Sequence, residues 1–137
     1  MATTVTSLLK TGDISAGGLK TSYMQNTLDF SATNTSATNI VQVFTIPAQT
    51  VIVAIGIDVT TGEGATCTVD LGDGDSTTRY LTSSDIETTG NRAAAAASVV
   101  PYVYTAADTI DMIMDHATDA AVVRVWAVIA KVQDTGG

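Results

Sequence analysis

The chain has 137 residues, enough for one domain with its own hydrophobic core. Its formal net charge is −8 and it has only six lysine and arginine residues. This argues against nucleic acid or an anionic membrane as a direct partner, because both require a basic surface. Charged residues make up 15% of the chain, below the roughly 25% of ordinary soluble domains. The low charge predicts a surface that contacts protein, although a threonine-decorated β-domain facing bulk water explains it equally well.

Residues 1–20 are predicted to form an N-terminal arm ahead of a single domain over residues 21–137. Residues 4–9 have a weak strand pattern, and the glycines that follow make a separate core in the arm unfavourable. The arm carries two of the three lysines of an acidic chain, against the single carboxylate of Asp13. We expect it to dock on a neighbouring protein surface, and a frayed terminus is the alternative. Its candidate contact residues are Leu8, Leu9, Lys10 and Lys20.

The arm lacks the basic start and the long apolar run of a signal peptide. No stretch of the sequence reaches the 18 or more apolar residues of a membrane-spanning helix. We therefore expect a protein that is made in the cytoplasm of its host and used without export by the usual route.

The remainder of the chain has the period-two alternation of β-strands. Turn residues separate the runs about every ten residues, and no helical period is sustained. The pattern predicts an all-β fold, a β-sandwich or jelly roll of about eight antiparallel strands. One short helical turn is expected where Ser84 and Glu87 have capping-box spacing. In chain order the predicted strands are Tyr23–Phe30, Ile40–Ile46, Val51–Val59, Ala65–Leu71, Arg79–Leu81, Val99–Thr105, Thr109–Asp115 and Ala121–Val132.

The third and fourth predicted strands form the centre of the fold. Apolar residues stand at every second position from Val51 to Val59, and again on the return strand after a turn that contains two glycines. Cys67 has no second cysteine to pair with, so we interpret it as a small buried hydrophobe. The predicted core residues are Val51, Val53, Ile55, Ile57, Cys67, Val69 and Leu71.

The last predicted strand, Ala121–Val132, is apolar on both of its faces. A strand of this kind is covered on both sides, whereas a single sandwich core covers only one. We therefore predict that a second subunit covers the other face, with Trp126 and Val128 as candidate interface residues.

Residue chemistry predicts neither a catalytic centre nor a cofactor. The one histidine, His116, is interpreted as a solvated loop residue, and the chain has too few Cys and His residues for a zinc site. The acidic stretch from Asp70 to Asp75 does not match the ligand spacing of a calcium loop, so turn formation explains it better. We expect a protein that is not an enzyme and that has no metal site.

The stretch from Ile46 to Leu81, with its Ala-, Thr- and Gly-rich flanks, resembles small structural proteins of tailed bacteriophages. It is most similar to capsid decoration proteins, also called cement proteins. The similarity covers roughly residues 40–132 and rests on pattern, length and composition. It implies a β-sandwich or jelly roll that forms a homotrimer and binds the major capsid protein on the outer capsid surface of the virion, where it stabilises the shell.

Two further functions are consistent with the sequence. A carbohydrate-binding β-sandwich of the lectin type would need exposed aromatic rings or a calcium site, and only 5% of the residues are aromatic. A position at the neck of the virion or at a fibre base is a variant of the structural role. A hydrolase is the weakest alternative, because the sequence has no recognisable set of catalytic residues.

Overall fold

The computed structural model describes residues 21–94 and 99–131. These residues form an all-β fold of two antiparallel sheets, which confirms the predicted β-sandwich. Within the described ranges, no helix has the length and apolarity needed to cross a membrane. The strands are β1 (Thr21–Asp29), β2 (Ile40–Ile46), β3 (Thr50–Thr61), β4 (Thr68–Asp73), β5 (Leu81–Asp85), β6 (Gly90–Ala93), β7 (Tyr102–Tyr104), β8 (Asp108–Met114) and β9 (Val122–Lys131).

The chain passes several times between the two sheets. The five-stranded sheet has the order β1-β9-β3-β6. On the side of β3 away from β9, β7 pairs with its first half and β6 with its second half. The four-stranded sheet has the order β2-β8-β4-β5. The pairing is nested, because β1 pairs with β9, β2 with β8, β3 with β6 and β7, and β4 with β5. Strands from the two ends of the chain therefore lie side by side.

The core lies between the two sheets and contains aliphatic side chains from both. The predicted core positions Ile55, Ile57, Cys67, Val69 and Leu71 are all buried, as expected from the alternation. The largest side chains that are almost fully buried are Ile46, Ile52, Ile55, Ile57, Val59, Val69, Leu71, Ile86, Ile110, Met112, Met114 and Val123.

A β-bulge in β3 changes which residues of that strand face the core. The register between β3 and β9 shifts between Ile52 and Ala54, so Val53 is an extra residue on the β3 side. An extra residue reverses the alternation beyond it. Ile52 is therefore buried and Val53 is 40% exposed. The prediction that Val51 and Val53 lie in the core is wrong, since Val51 is only half-buried and lies outside the core.

The helical turn predicted from Ser84 and Glu87 is also wrong. Ser84 lies in β5, where it pairs with Val69 of β4. The backbone N–H of Glu87 donates to the carboxylate of Asp85 at 2.7 Å. A side chain that satisfies the local backbone in this way offers an alternative to a helical turn.

The bulge can be tested by comparing two neighbouring truncations. We expect Ile52→Ala to lower the free energy of unfolding by about 2–5 kcal/mol, because it leaves a cavity in the core. In the dissociated chain, Val53→Ala removes an outward-facing side chain and is expected to change it by no more than about 0.5 kcal/mol. Urea denaturation of the two variants measures both values, and a larger loss for Val53→Ala would contradict the bulge.

Candidate functional site

The outer face of the five-stranded sheet, the face turned away from the core, carries an exposed group of large apolar side chains. Register places Trp126 of β9 between Gln25 of β1 and Gly56 of β3. Val128 lies between Tyr23 and Ala54 in the same way. We define the apolar patch as Tyr23, Val51, Val53, Val103, Trp126 and Val128.

Most of the exposed large hydrophobic side chains of the described residues belong to this patch. Tyr23 is 58% exposed, Val103 48% and Val53 40%, while Ile40, on the other sheet, is 59% exposed. Single exposed hydrophobic residues are ordinary, but contiguous apolar patches mark interaction sites. The clustering on one sheet face therefore points to a protein-binding surface.

The indole ring of Trp126 packs closely against a glycine in the neighbouring strand. A Cβ atom at Gly56 would lie 2.8 Å from Cζ2 of Trp126 and 2.5 Å from the carbonyl oxygen of Arg92. Real side chains do not make such short contacts, so a glycine at this position allows the ring to lie against the backbone of β3. The tryptophan thus presents a pre-positioned aromatic surface, which costs little conformational entropy on binding.

The patch is poor in charge although the chain is acidic. Among the described strand residues, register turns only three charged side chains, Asp29, Asp58 and Arg124, towards the outer face. Two of these neutralise each other, since Nη2 of Arg124 lies 2.6 Å from Oδ2 of Asp58. A surface depleted in charge is typical of the centre of a protein interface.

The structure brings together some of the predicted interface residues. Trp126 and Val128 lie on the same face, two positions apart in β9 and both half-buried. The predicted contacts Leu8, Leu9, Lys10 and Lys20 lie outside the described residues. Sequence reasoning missed Tyr23, Val51, Val53 and Val103. Of these, Tyr23 had a usable signal, because it alternates with the core-facing Met24 and Leu28.

A second site, which is polar, lies at the end of β4 and in the turn that follows it. The Asp73 carboxylate is 1% exposed, and its Oδ1 accepts the backbone N–H groups of Asp75 at 3.0 Å and Ser76 at 2.8 Å. Its Oδ2 accepts hydrogen bonds from Nε of Arg79 and from the Tyr104 hydroxyl, the latter at 2.6 Å. Both carboxylate oxygens serve the fold, in agreement with the interpretation of this acidic stretch as turn chemistry.

The partners of Asp73 keep it ionised despite its burial. Burial alone would raise the pKa of Asp73, but the hydrogen bonds from Arg79 and Tyr104 outweigh it and hold the pKa below its usual value. Burial, together with the bond to this carboxylate, raises the pKa of the Tyr104 hydroxyl. The Arg79 guanidinium also lies 4.0 Å from the centroid of the Tyr102 ring, a cation–π contact.

A surface depression of about 400 Å³ adjoins this turn, between Gly74 and residues 102–108. It contains the Tyr102 ring, which is the type of group on which a sugar could stack. However, Arg79 covers one face of that ring, and Tyr104 is packed edge-on against it with centroids 4.8 Å apart. Stacking of a sugar on the Tyr102 ring would therefore compete with the Arg79 contact.

The remaining reactive groups are placed apart from this depression. His116 is exposed, with Nδ1 2.9 Å from Oδ1 of Asp115. Burial raises the pKa of the Cys67 thiol, whose Sγ lies 3.4 Å from Oγ1 of Thr118 inside the core. Within residues 21–94 and 99–131, no group of three or more His, Cys, Asp and Glu side chains is arranged to hold a metal ion.

No protein-family model and no curated protein matches the sequence. Solved structures do share the fold. A chain of the structure described as "Cyanophage Pam1 capsid asymmetric unit" aligns with a TM-score of 0.61 and 17% identity, over 82% of this chain and 84% of that one.

Two further structures give similar values. A chain of the acid-stable capsid of Helicobacter pylori bacteriophage KHP30 aligns with a TM-score of 0.63 and 11% identity, over 82% of this chain and 89% of that one. A chain of the capsid of Ralstonia phage GP4 aligns with a TM-score of 0.62 and 14% identity, over 86% and 87%. At these identities the likeness shows a shared fold. Since nearly equal shares of both chains align, the matched chains are close in length to this one.

The role of Asp73 can be tested with Asp73→Asn. We expect this variant to lose about 3 kcal/mol of unfolding free energy at pH 7, because it leaves the partly buried guanidinium of Arg79 without its counter-charge. The folded-state pKa of Asp73 is depressed, so its stabilising contribution is present above its unfolded pKa of about 3.9 and is lost as the pH falls through the folded value.

Denaturation curves from pH 7 to pH 2 measure this effect. The difference between the variant and the parent chain should be greatest near neutral pH and should shrink below pH of about 3.9. A difference that stays constant over the whole range would show that Asp73 does not act through its charge.

Proposed function

We propose that this protein is a structural component of a bacteriophage virion. The observation that carries the proposal is the shared two-sheet fold with chains in three phage capsids, at TM-scores of 0.61 to 0.63 over more than four fifths of each chain. The apolar patch provides independent support, since a capsid component must bind protein through a preformed surface. The nested strand pairing is the one expected of a jelly roll, and we infer that topology from it.

We further propose that the protein decorates the outside of the shell as a cement protein bound to the major capsid protein. A net charge of −8 supports an outer position, because packaged nucleic acid on the inner side would repel an acidic domain. The similar lengths of the matched chains support a small accessory subunit. Such a subunit would stabilise the shell by linking neighbouring capsid proteins, without chemistry at an active site.

The oligomer we propose is a homotrimer that buries the apolar patch. Heterologous contacts around a threefold axis let one patch meet a different surface of the next copy, so the patch need not match itself. Trp126 and Tyr23 are the residue types that contribute most to interface energies. Residues 1–20, with Leu8, Leu9, Lys10 and Lys20, are proposed to reach onto the shell or an adjacent protomer.

The patch can be tested with two matched substitutions. Tyr23 and Ile40 are 58% and 59% exposed on opposite sheets. We expect Tyr23→Ser to weaken self-association about tenfold or more, because interface aromatics often contribute more than about 1.4 kcal/mol. Ile40→Ser is the control and should leave self-association unchanged.

Light scattering and sedimentation across a concentration series measure the self-association of both variants and the parent chain. Equal weakening by both substitutions would show that general surface hydrophobicity, not the patch, drives association. A parent chain that stays monomeric at micromolar concentration would contradict the homotrimer.

Capsid attachment can be tested by mixing the purified full chain with undecorated phage capsids and measuring the added mass per capsid. We expect saturable binding in whole multiples of the oligomer. A chain that lacks residues 1–20 should fold but lose capsid binding, since this segment is proposed to reach onto the shell or an adjacent protomer. Equal binding with and without the arm would place attachment on the sandwich, and no binding by the full chain would contradict the decoration role.

A further inference from the structure

The free edge of β1 is the one sheet edge of the described residues without a device that blocks strand pairing. The edge strand β2 carries a register shift at Gln42 to Phe44. The edge strand β5 has only five residues, and among them Ser83 has a φ of 47°. The opposite edge of the five-stranded sheet is divided between the four residues of β6 and the three of β7. Short, bulged and interrupted edges are the usual protection against strand addition.

In contrast, β1 is long and regular. Its nine residues pair with β9 in an unbroken register from Thr21 opposite Ala130 to Asp29 opposite Val122. It contains no proline and no lysine or arginine, and its only charged residue, Asp29, is the last one. On the side away from β9, β1 pairs with no strand of residues 21–94 or 99–131, so its backbone groups there could form a further ladder of hydrogen bonds. The side chain of Asn26 donates to the backbone carbonyl of Val43 at 3.1 Å, which fixes the strand to the other sheet.

The inner side of this edge is incompletely covered. Met24 and Leu28 point towards the core but are only partly buried. A strand added alongside β1 would place its own inward-facing side chains against them. The edge therefore offers both unpaired backbone groups and apolar side chains to an added strand.

We propose that residues 4–9 of a neighbouring copy of this chain add as a strand to the free edge of β1. The sequence of this segment, TVTSLL, is rich in β-branched and aliphatic residues that favour strands. In a strand, Val5 and Leu9 lie on one face and Thr6 and Leu8 on the other. The face of Val5 and Leu9 would cover Met24 and Leu28. The other face would extend the outer face at Tyr23. This inference rests on the proposed self-association but not on the capsid assignment, since it concerns contacts between copies.

Charge complementarity favours this occupant over a second β1 strand. Two lysines and one aspartate fall in residues 1–20, which gives this segment a charge of +1 and leaves −9 on the rest of the chain. Two copies of the acidic domain repel each other, whereas the arm of one copy is attracted to the body of the next. The twenty residues ahead of Thr21, at about 3.3 Å per residue, are long enough to cross to a neighbour.

Chain connectivity favours a neighbouring copy over the same one. If residues 4–9 paired with β1 of their own chain, residues 10–20 would form the connecting loop. Hairpin loops usually contain two to five residues, and a loop of eleven is uncommon. An exchange between protomers needs no such loop.

Cross-linking of two cysteine variants tests the proposal in the full chain. Thr6→Cys in one chain and Gln25→Cys in a second, tagged chain are co-expressed and treated with a short bismaleimide. The native Cys67 is fully buried, so the parent chain should not react. We expect a covalent heterodimer from this pair and none when either variant is combined with the parent chain.

A matched pair of proline substitutions shows whether the cross-link requires a strand. Ser7→Pro, placed in the Thr6→Cys chain, should reduce the heterodimer yield at least tenfold, because proline cannot donate to the ladder. Ser15→Pro in the same chain lies outside the proposed strand and should retain the yield. The thermal midpoint of unfolding should stay the same in both, which separates a lost contact from a lost fold.

Four results would overturn the proposal. A covalent homodimer of the Gln25→Cys chain would show that the β1 strand of a second copy occupies the edge. A chain with both cysteines that links only within itself at every dilution would show that its own arm occupies the edge. No heterodimer at all would show that residues 4–9 do not reach β1. Equal yields with Ser7→Pro and Ser15→Pro would show proximity without strand pairing.

Discussion

Strands β3 and β9 pair along most of their lengths in the middle of the five-stranded sheet, and β9 is apolar on both of its faces. A two-layer sandwich can bury only one face of each sheet. The inner positions of β9, Val123, Val125 and Ala127, are buried in the core. The outer positions then leave Trp126 and Val128 partly exposed on a surface that the other described residues do not fully cover. At about 25 cal/mol per Å² of apolar surface, this constraint favours association with another protein.

The distribution of charge makes such association compatible with an acidic chain. A net charge of −8 keeps copies apart in general. The outer face escapes this repulsion because its ion pair, Asp58 with Arg124, is internally neutral and its other side chains are mostly uncharged. The buried carboxylate of Asp73 is neutralised by the guanidinium of Arg79. The outer face thus carries little of the repulsive charge of the chain.

Local sequence pattern was sufficient to predict the fold class and much of the core, because alternation is a property of neighbouring residues. Ile55, Ile57, Val69 and Leu71 follow it and are buried. The local pattern failed at Val53, because the bulge there depends on pairing with β9, some seventy residues further along the chain.

Side-chain networks between distant segments could not be predicted. The Glu63 carboxylate accepts the backbone N–H groups of Asp119, Ala120 and Ala121 at 2.7 to 3.0 Å and so fastens the turn after β3 to the start of β9. These N–H bonds outweigh the effect of burial, which alone would raise its pKa, and hold the pKa of Glu63 below its usual value. Of the six residues of the apolar patch, only Trp126 and Val128 were predicted. The other four, Tyr23, Val51, Val53 and Val103, are brought in by strand pairing.

The central claim is that the outer face of the five-stranded sheet is buried when the protein assembles. Trp126 is the only tryptophan of the chain and lies on this face, so its fluorescence reports directly on it. The most direct measurement follows the emission maximum and acrylamide quenching of Trp126 while dilution dissociates the oligomer. We predict a red shift and stronger quenching as the measured mass falls. Emission and quenching that stay constant through dissociation would show that the protein assembles through another surface.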